Sequence, residues 1–315
     1  MFTAEIKSRI GEDISILIKP ENYSYNFICE CGDASDLTVK ECQNTEAIFI
    51  SHTHIDHFVN FDTILRHQIG IQRRVIICGP EGITNQVQSK IRAYQWNLID
   101  ENAIVYEVRE IKNDKSIICS EIRPATWDIL PLEQEIEYLY SNDKLYVEFE
   151  ILDHKTASIA YLFKERDTVK IDIAKSNFKG GAWVNALKEA FSNQNQEALI
   201  TIENQFFAAK ELYHLLEIKK GDTLGIIMDH GANESNHSKI MERFENCNTV
   251  YIECFYKKED QEQAQQNYHS YSAQSALIMK KCKVKKAIPV HFSRKYKEED
   301  IQMILKEFNA VYAEN

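Results

Sequence analysis

Three observations predict an α/β (α+β) fold for this 315-residue chain. Short apolar or β-branched runs recur with helical segments between them, which is the pattern of mixed sheets and helices rather than of a bundle or solenoid. Hydrophobic residues at 44% and charged residues at 27% are those of a soluble globular chain that can bury a sizeable core. Gly and Pro number only 10 and 5, which excludes collagen-like and Pro-rich architectures, and no Pro, Gly or Ser-rich linker divides the chain. Taken in order, the apolar or β-branched runs predict strands over Ile14–Lys19, Tyr25–Glu30, Ala47–Ser51, Arg74–Cys78, Ile104–Val108, Leu145–Leu152, Ser158–Phe163, Thr223–Met228, Thr249–Glu253 and Lys286–Val290. The segments between them predict helices over Asp62–Gln68, Ile83–Tyr94, Trp183–Phe191, Phe206–Leu216, His237–Phe244, Ser272–Cys282 and Glu298–Phe308. Asp260–Asn267 reads as a polar, Gln-rich loop.

Charge and cysteine usage narrow the function classes. With 48 acidic and 37 basic residues the net charge is −11, which argues against indiscriminate nucleic-acid binding, because phosphate contacts need clustered Lys and Arg. One local exception is Lys280–Lys297, where Lys280, Lys281, Lys283, Lys285, Lys286, Arg294, Lys295 and Lys297 occur without an acid; it is either a solvated helix face and loop or a basic surface. Nothing approaches the roughly 18 consecutive apolar residues that a membrane span requires, and the charged start, Glu5 to Asp13, does not read as a signal peptide. No membrane association is expected. Cysteines at 29, 31, 42, 78, 119, 247, 254 and 282 lie apart, several within apolar runs such as Val75-Ile76-Ile77-Cys78, where a thiol acts as a small hydrophobe. A reducing, cytoplasmic location is expected.

The chemistry concentrates in Ser51-His52-Thr53-His54-Ile55-Asp56-His57, directly after the apolar run Ala47-Ile48-Phe49-Ile50. Four potential metal ligands, His52, His54, Asp56 and His57, leave one strand end, from which a loop can wrap them around a point. Three more candidates share that position at the carboxyl end of an apolar run: His154, Asp229 and His291. Taken singly, a His or Asp at a strand end is more often a turn or hydrogen-bonding residue. Together the seven complete the ligand count of two metals sharing a carboxylate. Imidazole and carboxylate donors without Cys suit Zn²⁺, with Mn²⁺ or Fe possible. Because the ligands run from His52 to His291, one domain over residues 1–315 is expected. His67, His214, His230 and His237 have no comparable setting and read as surface or helix residues.

H-x-H-x-D-H followed by a distant His, Asp and His resembles the metallo-β-lactamase superfamily, and four further segments narrow the likeness. Asp153-His154-Lys155-Thr156-Ala157-Ser158-Ile159-Ala160-Tyr161 is similar to the D-H-R-x-P-S-x-G-Y segment of ribonuclease Z, the endonuclease that trims transfer-RNA 3′ trailers. Thr249–Tyr256 resembles its strand ending in H-E-A-T-F, His269-Ser270 its H-S-T segment, and His291-Phe292-Ser293-Arg294-Lys295-Tyr296 its H-F-S-x-R-Y segment. The resemblance implies an αββα four-layer sandwich. It also implies that His52, His54 and His154 bind one metal, that Asp56, His57 and His291 bind the other, and that Asp229 bridges two Zn²⁺ ions. A hydroxide shared by the ions would attack a phosphodiester, Asp56 would orient it, and His269, aimed by Glu253, would act as general acid; His269 read alone is equally a solvated loop histidine. A homodimer is implied as well.

Departures from the family bear on substrate. The glycine-rich segment and P-x-x-R loop that meet the RNA end have no evident counterpart before Ile14, the glycine inside H-x-H-G-D-H is Ile55, and no basic Gly-rich arm is evident before Asp229. The expected function is a ribonuclease Z-like endoribonuclease acting at a precursor transfer-RNA 3′ end. The alternative is a hydrolase of the same fold acting on a small phosphodiester, thioester or other ester.

Overall fold

The computed structural model describes residues 1–313 of the chain. They form two compact units, one from Met1–Lys164 together with the chain from Thr223 onward, the other from Glu165–Asp222. The first unit opens with an eight-stranded sheet laid down in sequence order: β1 (Phe2–Ile6), β2 (Ile16–Pro20), β3 (Asn26–Cys29), β4 (Thr45–Phe49), β5 (Arg74–Pro80), β6 (Val105–Ile111), β7 (Ile117–Ile122) and β8 (Ile129–Leu132). Helices α1 (Val39–Gln43), α2 (Ile55–Phe58), α3 (Phe61–Gln68) and α4 (Ile83–Arg92) connect its middle strands. Next come β9 (Tyr140–Ser141), β10 (Leu145–Asp153) and β11 (Ala157–Glu165).

The second unit has its own strands, β12 (Thr168–Ile171), β13 (Leu199–Ile202), β14 (Gln205–Ala208) and β15 (Leu216–Lys219), with helices α5 (Trp183–Ser192) and α6 (Ala209–Leu212). They close around a separate core that includes Trp183, Leu187, Ile200, Ile202 and Leu215. The chain then returns to the first unit as β16 (Thr223–Ile227), α7 (Glu234–Phe244), β17 (Thr249–Glu253), α8 (Gln261–Asn267), α9 (Ser272–Lys281), β18 (Lys286–Val290) and α10 (Glu298–Ala313). Its second sheet has the order β18-β17-β16-β11-β10-β9.

Period-two alternation in the strands builds the four layers. Phe27, Cys29, Ala47 and Phe49 of the first sheet meet Tyr161, Phe163, Ile226 and Tyr251 of the second in one buried cluster. Their neighbours Ile28, Ile48 and Ile50 point the other way, onto Phe61, Ile64 and Leu65 of α3 and Ile83, Val87 and Ile91 of α4. Ala160, Leu162, Val250 and Ile252 likewise face Ile240 and Phe244 of α7, Ala276 and Met279 of α9, and Ile304 and Phe308 of α10. The architecture is therefore helices, sheet, sheet, helices. Phe27, Phe49 and Phe163 sit at ring separations of 5.1–5.9 Å in the middle layer, and burying each contributes about 2–3 kcal/mol.

Two contacts between the sheets fix the strand end that carries the first histidines. The Tyr161 hydroxyl donates to the Ile50 carbonyl at 2.6 Å, and the Ile159 amide donates to the Ser51 carbonyl at 2.8 Å. Strands β16, β17 and β18 run parallel. Because β11 is antiparallel to β16 and joined to β10 by a tight turn, β10 runs with them. The carboxyl ends of β10, β16, β17 and β18 thus share one rim.

All ten expected strands are present. The helix expected over Phe206–Leu216 is not: Phe206–Ala208 pair with β13, only Ala209–Leu212 is α-helical, and Tyr213–Leu215 form a 3₁₀ turn. The cause is a hairpin turn at Glu203 and Asn204, whose φ values of 48° and 66° fold the chain back before a helix can start. Asp260–Asn267 proves largely helical as α8, with Ala264 its single buried residue, so no apolar stripe marks it in sequence. Strand β7 escapes a pattern search because it buries Glu121, which is held by Arg74 at 2.6 Å and by Arg123.

Candidate metal centre

Past β4, the chain turns through Ser51–His54 into α2, whose N-cap is His54. That turn buries His52 and His57, leaves Asp56 half-buried and exposes His54. His154 follows β10, Asp229 lies just beyond β16, Glu253 ends β17 and His291 follows β18. His291 takes a left-handed φ of 57°, a conformation costing a non-glycine residue roughly 1–2 kcal/mol, and it turns the side chain back into the rim.

These side chains meet around one carboxylate. Oδ2 of Asp229 lies 3.8 Å from His52 Nε2 and 3.6 Å from His154 Nε2. Its other oxygen, Oδ1, lies 3.4 Å from His57 Nε2 and 2.8 Å from His291 Nδ1. Asp56 Oδ2 is 3.6 Å from both His57 Nε2 and His291 Nε2, and the His54 ring is 4.3 Å from that of His52. Donors on one tetrahedral cation, each bonded at about 2.0–2.1 Å, lie roughly 3.3 Å apart. Direct hydrogen bonds would need about 2.7–3.2 Å. Most of the spacings therefore suit a shared cation better than direct bonds.

Unsatisfied atoms point the same way. His52 Nε2, His57 Nε2, Asp229 Oδ1 and His291 Nδ1 are buried and, among the described residues, have no hydrogen-bond partner; the 2.8 Å approach of the last two is not aligned for one. Each such group costs about 1–3 kcal/mol unless something compensates it. Meanwhile the far nitrogens of three rings are engaged: His52 Nδ1 with Ser51 Oγ at 3.0 Å, His57 Nδ1 with Glu30 Oε2 at 3.1 Å, and His154 Nδ1 with the Tyr268 carbonyl at 2.6 Å. Nε2 of each ring is thereby turned towards Asp229, as metal-binding imidazoles require. The donor set fits a divalent cation. Groups able to hold one include His52, His54 and His154, Asp56, His57 and His291, and His52, His57 and Asp229.

The electrostatics show carboxylates competing for positive charge. Burial, then the neighbouring His57, pushes the His52 pKa down to about 2. Burial opposes charge on His57 too, but Asp229 and Glu30 outweigh it and take its pKa up to about 10. Burial would raise Asp229, yet His291 and His57 hold it well below the usual carboxylate range. Asp56 is lowered in the same way against its partial burial. A divalent cation would supply the charge that these carboxylates now draw from protons.

Beside this cluster, the imidazole Nδ1 of His269 bonds to the buried carboxylate of Glu253, whose other oxygen accepts from the Ser270 amide at 2.9 Å. Burial disfavours the imidazolium, and Glu253 outweighs it, so the His269 pKa is raised. Sequence reasoning overlooked Glu30, which is fully buried and holds His57 from behind. It ends an apolar run as Asp229 does, but its partner His57 lies 27 residues away in sequence, so that signal alone does not single it out. His230 also departs from expectation: it is fully buried, with Nδ1 donating to the Met228 carbonyl at 2.8 Å.

The basic run divides. Lys280–Lys286 lies at the end of α9 and the start of β18, the rim opposite the histidines, while Arg294, Lys295 and Lys297 follow His291. Arg294 is engaged by Asp13 and Asp33 at 3.2 and 3.3 Å, and Lys295 by Asp260 at 3.1 Å. Among the described residues no helix is long and apolar enough to cross a membrane.

No family model matches the chain. Curated relatives do: it is 23% identical over 303 residues to ribonuclease Z of Deinococcus radiodurans, spanning 90% of this chain and 87% of that one. It is 27% identical over 297 residues to ribonuclease Z of Borrelia garinii, spanning 91% and 83%. Among solved structures, the metallo-β-lactamase-fold protein YhfI from Bacillus subtilis superimposes with a TM-score of 0.57 at 12% identity, covering 99% of this chain and 93% of that one. The short form of human tRNase Z does so with a TM-score of 0.53 at 14% identity, covering 90% and 86%. The chain is thus a ribonuclease Z-like protein with the metallo-β-lactamase fold.

Proposed function

We propose that this protein is a metal-dependent phosphodiester hydrolase, a ribonuclease Z-like endoribonuclease that cuts precursor transfer RNA at its 3′ end. The observation that carries the proposal is Asp229, whose two carboxylate oxygens face different pairs of imidazoles. On that basis His52, His54 and His154 hold one ion, Asp56, His57 and His291 a second, and Asp229 both; imidazole and carboxylate donors favour Zn²⁺, with Mn²⁺ or Fe as substitutes. When bound, such ions make water nucleophilic near neutral pH and offset charge on the phosphate oxygens. Asp56, kept ionised by His291 and His57, orients the attacking water. His269, with Nδ1 committed to Glu253, has Nε2 left to protonate the departing ribose 3′-oxygen. A cytoplasmic homodimer is the proposed form. The test is metal content and turnover on one zinc-loaded preparation: His54→Ala should lose bound metal and all cleavage, and His269→Ala should keep its metal and cut slowly. Unchanged metal and activity in both would refute the assignment.

A second reading, a hydrolase of small phosphodiesters or other esters, is favoured by the placement of Lys280–Lys286 on the far rim and by Ile55, 78% exposed between His54 and Asp56. Salt decides between them. Binding of RNA held by several Lys and Arg weakens steeply as salt rises, whereas binding of a small neutral ester does not.

A further inference from the structure

Glu253 fixes one point of the His269 ring, its Nδ1, and a single hydrogen bond leaves the ring free to swing about that bond. A second constraint is needed to set the plane. Phe255, two residues beyond Glu253, lies flat against His269 with ring centroids 3.9 Å apart and planes 5° from parallel. Its own backbone is anchored, since its carbonyl accepts from the Ser293 amide at 3.1 Å. The ring also touches His291 at a centroid distance of 5.1 Å, while His154 flanks His269 at 4.7 Å and 58°. With Nδ1 bonded to Glu253 and a face covered by Phe255, Nε2 is the ring nitrogen left available.

We propose that Phe255 is a positioning residue for proton transfer, holding the His269 plane so that Nε2–H is aimed at the leaving oxygen. The inference rests on the hydrolase reading above. In the step concerned, a water-derived oxygen forms a new bond to phosphorus as the bond from phosphorus to the ribose 3′-oxygen breaks. The electron pair stays on the 3′-oxygen, which takes the proton from His269 Nε2, and solvent returns a proton to the ring. A side chain that only filled space here would be replaceable by any apolar group of similar volume, whereas a plane-setting one needs a flat ring.

The test compares zinc-loaded wild type, Phe255→Leu and Phe255→Tyr on two phosphodiesters. One is a dinucleoside monophosphate, whose ribose 3′-oxygen needs a proton; the other is bis(p-nitrophenyl) phosphate, whose aryloxide leaves without one. Misaiming a reacting group by about 1 Å costs on the order of 100-fold, so Phe255→Leu should lose roughly 10- to 100-fold in kcat on the dinucleotide with little change in KM. Its loss on the aryl ester should be at least about tenfold smaller, and Phe255→Tyr should restore the wild-type pattern. Equal losses on both esters, or a tyrosine variant no better than the leucine one, would overturn the proposal. In metal-free protein, the His269 ring protons should resonate upfield under the Phe255 ring current and move downfield in Phe255→Leu only; no movement would also overturn it. A wild type inert towards both esters would instead remove the hydrolase reading, and the proton-transfer role with it, while the resonance still judges the stack.

Discussion

Glu30→Gln isolates the support behind a single metal ligand. Glu30 is fully buried and accepts twice, from the Ser51 amide at 3.0 Å through Oε1 and from His57 Nδ1 at 3.1 Å through Oε2. Glutamine has nearly the same shape but only one accepting oxygen, so its NH₂ must face one of these two donors. If it faces Ser51, a buried amide is left opposed, at a cost of about 1–3 kcal/mol. If it faces His57, the imidazole must take the other tautomer, and the proton then sits on Nε2, the atom that points at Asp229. Either outcome weakens zinc binding, by about 10- to 100-fold on the scale of groups that orient ligands from behind, or roughly 1.4–2.7 kcal/mol. Competition with a chromogenic chelator measures this directly, and Glu30→Asp, with its shorter reach, should fall between the two. A Glu30→Gln protein that bound zinc within about twofold of wild type and melted at the same temperature would refute this role.

Other outcomes follow from the same geometry. His269→Ala should lower kcat on a dinucleotide by about 10²–10⁴-fold with zinc content unchanged, read by turnover and metal analysis on one sample. In metal-free protein the His57 pKa is raised to about 10, so between its ordinary value near 6.5 and 10 the ring holds a proton that zinc must displace. Zinc affinity should therefore climb with pH across that window and zinc binding should release protons, measurable by calorimetry in buffers of different ionisation heat. The same raised pKa stabilises the metal-free fold fully below about 6.5 and is lost as pH rises through 10, so its denaturation midpoint should fall over that range. Phe163→Ala, which empties a position ringed by Phe2, Phe27 and Phe49, should cost about 3–5 kcal/mol in urea unfolding.

Sequence disclosed the chemistry of the rim more readily than its supports, and the physical reason lies in where each residue sits. His52, His54, Asp56 and His57 are consecutive enough to read as one motif. His154, Asp229 and His291 were legible because each closes an apolar run, and carboxyl ends of parallel strands share a rim. Glu30 closes such a run as well, but a single carboxylate with no local partner reads as a strand-end charge until folding brings His57 against it. Phe255 is equally silent in sequence, because its value depends on a ring fourteen residues away along the chain and 3.9 Å away in space. The layers were legible from alternating residues such as Ala160 and Tyr161. The second unit was not, because Glu165–Asp222 has the same mixed composition as its surroundings and no Pro or Gly-rich border. Within it, the turn at Glu203 and Asn204 redirected a helix-like run into a hairpin.

The most direct measurement is anomalous X-ray scattering at the zinc edge from crystals of zinc-loaded protein. Two peaks about 3.5–4 Å apart, one on each oxygen of Asp229, are the expected result, and both should disappear in Asp229→Ala. One peak, or a pair lying away from Asp229, would contradict the arrangement on which the proposed chemistry stands.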